Sequence, residues 1–230
     1  MSPTPVVLVT LVVLLVVYLV TGFVQNFVPA AADIVRLLPL DAEAVLHGQV
    51  WRLATYGLLH SLQDPTHLLF NGLALYFFGR DLEMRFGRGK FIAFLVASVV
   101  VGGIFVVAGY QLGIGVGACI GFSAACEACV VAWALFNRDS QVLLFFALPV
   151  RGIYLLVFAV IMWMTQAVSQ SPISASAHLG GILTGAVVWL LVARRNRISV
   201  FVSDVMMKLR LKKGPKLSVV PRNKNDRWVN

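Results

Sequence analysis

The chain has 230 residues, of which 59% are hydrophobic and 13% charged, with a mean hydropathy of +0.86. So little charge, with several apolar runs of spanning length, excludes a soluble globular domain and predicts an all-α integral membrane protein. The net charge of +9 is carried by the tail: from Arg194 to Asn230 eleven Lys/Arg stand against Asp204 and Asp226, and the remainder is neutral. Such a tail reads as a solvated flank at the cytoplasmic face, able to touch anionic lipid headgroups, rather than as a nucleic-acid site.

Val6 to Val28 is an almost unbroken apolar run and is read as the first span, within residues 1–28; a cleaved signal is the alternative, weakened by the length of the run and the lack of a basic segment before it. Residues 29–65 mix charges, Trp51 and periodic apolar residues, as expected of an interfacial loop with short amphipathic helices. Residues 66–193 hold the remaining spans. His67 to Phe78 is the second, closed by the charged stretch Arg80 to Lys90; Phe91 to Tyr110 is the third. A connection with Gly113, Gly115 and Gly117 leads to the fourth, from Ile120 to near Asn137. Pro149 and Arg151 mark an interfacial turn before the fifth, Gly152 to Val168, and a short link precedes the sixth, Ser174 to Ala193. Residues 194–230 are the basic cytoplasmic tail.

Six spans put both termini on one side. Arg80, Arg85, Arg88, Lys90, Arg138 and Arg151 fall in the second and fourth connections, against Arg36 and Arg52 in the first. By the positive-inside rule both termini face the cytoplasm. Cys126 and Cys129 form a C-x-x-C, but with no second pair and no suitably spaced histidines for zinc they read as small packing residues.

Spans two, four and six then all run from the outer face inward, which brings His67, Ser123 and His178 to a similar depth. Ser123, behind Gly121, is either a helix cap or a nucleophile. His178 is an ionisable side chain in a span, so it is either a buried imidazole bonded to a neighbour or a base. Gly181 and Gly185 form G-x-x-x-G, as do Gly117 and Gly121, a spacing that lets helix backbones approach closely enough for a Ser–His hydrogen bond. His67 and Asn71 share a helix face and can donate to a developing oxyanion or simply join helices.

In order along the chain, Trp51-Arg52, His67-Leu68-Leu69-Phe70-Asn71, Gly79 and Glu83 before Arg85-Phe86-Gly87, Gly121-Phe122-Ser123, and Ala177-His178-Leu179-Gly180-Gly181 with Gly185 resemble the motifs of the rhomboid intramembrane serine proteases. The resemblance runs from about Trp51 to Leu191. It implies a six-transmembrane-helix bundle with an interfacial first loop, in a membrane expected to be the bacterial cytoplasmic membrane. It also implies a Ser–His dyad that cuts transmembrane protein substrates in or near their membrane segments and needs no metal and no organic cofactor. Ser123 would be the nucleophile and His178 the base. His67, Asn71 and the Ser123 N–H would hold the oxyanion, Trp51 and Arg52 would be structural, and the site would open to the outer face.

The sequence departs from that pattern in three places; one is the loss of the glycine often found shortly before the histidine, where the link reads Ser174-Ala175-Ser176-Ala177. Ala124 stands where the family usually has glycine, which alanine can replace without strain if the position is helical. Glu127, four residues after Ser123, stands where the family often has an aromatic ring. It is a candidate modulator of His178 if the two face each other, or else a protonated carboxyl bonded to a neighbouring helix. A rhomboid-like pseudoprotease that binds transmembrane helices without cleaving them is the rival reading. A small transporter is disfavoured, because the polar motif residues gather toward one face rather than at the midplane.

Overall fold

The computed structural model describes residues 2–114, 118–144, 148–168 and 172–212. Gly115, Gly117, the link at 169–171 and the tail beyond Lys212 lie outside the described residues. Two compact units are present, Met1–Leu190 and Leu191–Asn230. In the second, residues 191–212 are helical.

Helices dominate. Pro5–Phe27 (α1), Arg88–Gln111 (α7) and the stretch Ala175–Arg195 within α10 (Pro172–Lys212) are long and apolar enough to cross a membrane. Ser123–Phe136 (α8) and Gly152–Val168 (α9) contribute shorter apolar segments. The second expected span is longer than the apolar run predicted. Pro65–Ala74 (α5), a π turn at Leu75–Gly79 and Arg80–Phe86 (α6) follow one another without a break, so the charged stretch after Phe78 is still helical. Gly87, at φ +77°, then turns the chain directly into α7.

Local chemistry explains the starts of these helices. Asp64 accepts from the Thr66 N–H at 3.1 Å with Pro65 in the first turn, a favourable N-terminus for α5. Buried Glu83 takes the N–H groups of Val6 and Val7 at 3.1 Å, so a carboxylate sits on the N-terminus of α1. The same end of the bundle holds the end of α8, where the Asn137 amide donates to Asp81 at 3.3 Å and the Arg85 guanidinium lies 4.5 Å over the Phe136 ring. A Cβ built on Gly152 would meet the Asn137 carbonyl, so α9 also begins there. At the opposite end, Trp163 donates to the Ala175 carbonyl at 3.0 Å and Gly109 lies against Ser176, which joins the ends of α9 and α7 to the start of α10. Successive long segments therefore alternate in direction.

The first loop contains Pro29–Arg36 (α2), Ala42–Leu46 (α3) and Arg52–Thr55 (α4), followed by a 3-10 turn at Tyr56–Leu58. Arg52, 7% exposed, fastens it by donating to Gln49 Oε1 and to the carbonyls of Arg36 and Pro39; Trp51 Nε1 donates to the Leu37 carbonyl. Leu40–Asp41 (β1) pairs antiparallel with Ala118–Cys119 (β2), tying the loop to the segment before α8. Around the interfacial turn expected near Pro149, Gln141–Leu144 (β3) and Leu148–Arg151 (β4) form an antiparallel ladder. The core runs from Val7 and Leu14 of α1 through Phe91, Phe94 and Val99 of α7 to the small residues Ala125, Ala128 and Cys129 of α8.

Candidate active site

Ser123 is the first residue of α8 rather than a turn inside a span. Gly121, at φ +124°, breaks the backbone just before it, and the Gly121 N–H donates to the Tyr56 carbonyl at 3.0 Å. A Cβ on Gly121 would stand 2.5 Å from the His67 ring, so glycine is required both for the angle and for the space. The Ser123 hydroxyl is not used as a cap. Its partner is His178 Nε2 at 2.8 Å, across fifty-five residues of sequence.

Small residues allow that reach. A Cβ on Gly181 would collide with the Ala124 carbonyl, and one on Gly185 would stand 2.6 Å from the Ala128 carbonyl, so α10 lies directly on the α8 backbone. Ala124 is helical and 0% exposed, and its methyl points at Gly102 of α7, where a Cβ would approach it to 2.7 Å. The methyl that replaces a hydrogen at position 124 is accommodated by a glycine on another helix.

The second ring nitrogen of His178 is buried and makes no hydrogen bond. Glu127 Oε1 lies 3.7 Å from it, with the side chains 13% and 18% exposed. Ser123, His178 and Glu127 thus form one line, with a hydrogen bond on one side of the imidazole and a looser ion-pair distance on the other.

Asn71 is buried on α5, and its backbone carbonyl accepts from the Cys126 thiol at 3.2 Å. Its side chain meets a residue that sequence reasoning passed over: His60, whose Nε2 lies 3.0 Å from Asn71 Nδ2 and 3.5 Å from the Phe122 backbone nitrogen. The ring of His60 packs edge-on against that of His67, with centroids 5.1 Å apart. The available signal was compositional: His60 is one of four histidines, and it follows the apolar pair Leu58-Leu59 in a loop where a solvated histidine would have polar neighbours.

Cys119, Cys126 and Cys129 are all free and buried. An apolar hollow of about 330 Å³ between α1, the first loop and α7 reaches Phe122; among the described residues Thr10 and Thr55 are its polar lining side chains.

Comparison with known proteins bears on this arrangement. The rhomboid domain family matches residues 47–195. The rhomboid protease GluP of Bacillus subtilis (strain 168) is 31% identical over 143 residues, 61% of this chain and 26% of that protein. YdcA of the same strain is 38% identical over 60 residues, 26% of this chain and 29% of that protein. The matched segments span less than a third of the length of either relative. The domain match spans well over half of the chain and takes in every residue of the site just described, and the chain belongs to the rhomboid family.

Proposed function

We propose that this protein is an intramembrane serine endopeptidase that cleaves transmembrane protein substrates in or near their membrane segments. The observation that carries the reading is the 2.8 Å hydrogen bond between Ser123 Oγ and His178 Nε2 at the partly buried junction of α8 and α10. His178 accepts the hydroxyl proton as Ser123 Oγ bonds to the scissile carbonyl carbon, and returns it to the leaving amine as the C–N bond breaks. His178 then activates water against the Ser123 ester, which releases the acid and restores the hydroxyl. The oxyanion of each tetrahedral intermediate is held by the Ser123 N–H, a donor at the N-terminus of α8, with Asn71 and His67.

In this reading the membrane core crosses six times, as residues 1–28 and the five spans of residues 66–193, with residues 29–65 as an interfacial loop and residues 194–230 on the cytoplasmic side. The active site opens to the outer face, from which the hydrolytic water enters. GluP, named as a rhomboid protease, supports the activity class. The rival, a family member that binds transmembrane helices without cutting them, has less support, because it gives no reason for a Ser–His pair to be kept in hydrogen-bond register.

The test is cleavage of a labelled single-span model substrate by the full chain in proteoliposomes, compared with Ser123→Ala and His178→Ala. The parent is expected to cleave, and each variant to lose activity by at least about a thousandfold. Equal turnover by parent and variants, or none by the parent, would overturn the proposal.

A further inference from the structure

The Asn71 side chain and the backbone just before Ser123 come from different helices, and one atom touches both. His60 Nε2 lies 3.0 Å from Asn71 Nδ2 and, at a long 3.5 Å, faces the Phe122 N–H. A backbone N–H can only donate, so Nε2 must present its lone pair and the ring proton must sit on Nδ1. The ring is 4% exposed, which keeps water from substituting for it. Burial, and secondarily the neighbouring His67, lower the His60 pKa to about 4, with the Leu58 backbone opposing, so the imidazole is neutral and the lone pair available at physiological pH.

A fixed acceptor at this place decides which donors remain free. With one Asn71 amide hydrogen and the Phe122 N–H turned toward His60, the second Asn71 hydrogen and the Ser123 N–H are left for another oxygen. We propose that His60 is a positioning residue for the oxyanion-binding groups, locking the Asn71 amide and the Phe122–Ser123 turn in one mutual orientation. This rests on the reading of Ser123 as nucleophile. His60 itself touches no reacting atom; it acts through Asn71 and the turn. Preorganised donors matter more than their number, because a donor that must reorient during the reaction forfeits much of its effect.

The experiment is the rate at which a fluorophosphonate–rhodamine probe labels Ser123 in the full-length protein, with thermal unfolding followed in parallel. His60→Leu is expected to slow labelling by about tenfold to a hundredfold. His60→Asn stays polar but retracts the acceptor, and is expected to behave like His60→Leu. His60→Gln can return an oxygen to the Nε2 position and is expected to recover most of the lost rate. With Asn71→Ala in the background, His60→Leu should slow labelling by less than it does alone, because the part of its effect that passes through the Asn71 amide is already lost.

Independent effects that multiply, or unchanged labelling in both His60→Leu and His60→Asn, overturn the positioning role while leaving the nucleophile in place. A parent chain that is not labelled at Ser123 overturns the nucleophile reading and this proposal with it.

Discussion

Glu127 places a carboxyl oxygen 3.7 Å from a histidine nitrogen that is buried and otherwise unpartnered. An imidazole that accepts a proton on Nε2 becomes an imidazolium with a buried Nδ1–H, and a carboxylate in reach of that hydrogen both orients the ring and stabilises its charge. The expected outcome is that Glu127→Gln and Glu127→Phe lower kcat by about tenfold to a hundredfold, keep KM, and move the acid limb of the kcat profile. Unchanged profiles in both variants would assign Glu127 to helix packing alone. Ala124 shows how much of such a site a linear sequence conceals. Its suitability depends on Gly102, twenty-two residues earlier on α7, and no spacing rule connects the two. The G-x-x-x-G of Gly181 and Gly185 was legible because both partners in the pattern lie on one helix face.

At the scale of elements, Glu83 is the clearest case of a motif residue whose task lies far from the chemistry. It is 3% exposed, and it closes the N-terminus of α1 through the N–H groups of Val6 and Val7, seventy-six and more residues away. Removing a charged acceptor from buried donors costs about 1.5–3 kcal/mol, and here the donors also carry the positive end of a helix dipole. Glu83→Ala is therefore expected to lower the unfolding temperature in detergent by several degrees, with Glu83→Gln in between. A Glu83→Ala protein as stable as the parent would show that water reaches this end of α1. Helix identity was readable from apolar runs, but helix ends were not. The second expected span overran its apolar run into α6, because Glu83 is buried and satisfied by α1, and hydropathy cannot register a charge whose partners come from another helix. The start of α8 was misjudged for the converse reason: Ile120 to Phe122 are apolar, yet the positive φ of Gly121 delays the helix to Ser123. His60 escaped because its partners, Asn71 and Phe122, are both brought to it by tertiary packing.

For the molecule as a whole, the charge pattern and the helix directions are independent observations with one consequence. The start of α1, the end of α6, the end of α8 and the start of α9 meet at one end of the first unit through Glu83, Asp81, Arg85 and Gly152. That end carries Arg80, Arg85, Arg88, Lys90, Arg138 and Arg151. The opposite end carries the first loop, Gly121 and Ser123, with Arg36 and Arg52 as its cations. Arg36 is paired with Asp33 at 3.0 Å, and Asp41, Glu43 and Asp64 stand in the same loop as Arg52, so no net positive charge is left there. By the positive-inside rule, the orientation proposed above puts the end that carries Ser123 toward the outer face. The three native cysteines are buried, so single cysteines can be introduced as reporters without interference from them. Gln63→Cys in the first loop and Arg138→Cys after α8 are both at exposed positions. In intact cells a membrane-impermeant maleimide is expected to label Gln63→Cys, and to label Arg138→Cys only after permeabilisation. The reverse pattern would invert the bundle and move the source of hydrolytic water to the cytoplasm, and labelling of both in intact cells would contradict a membrane-spanning core between them.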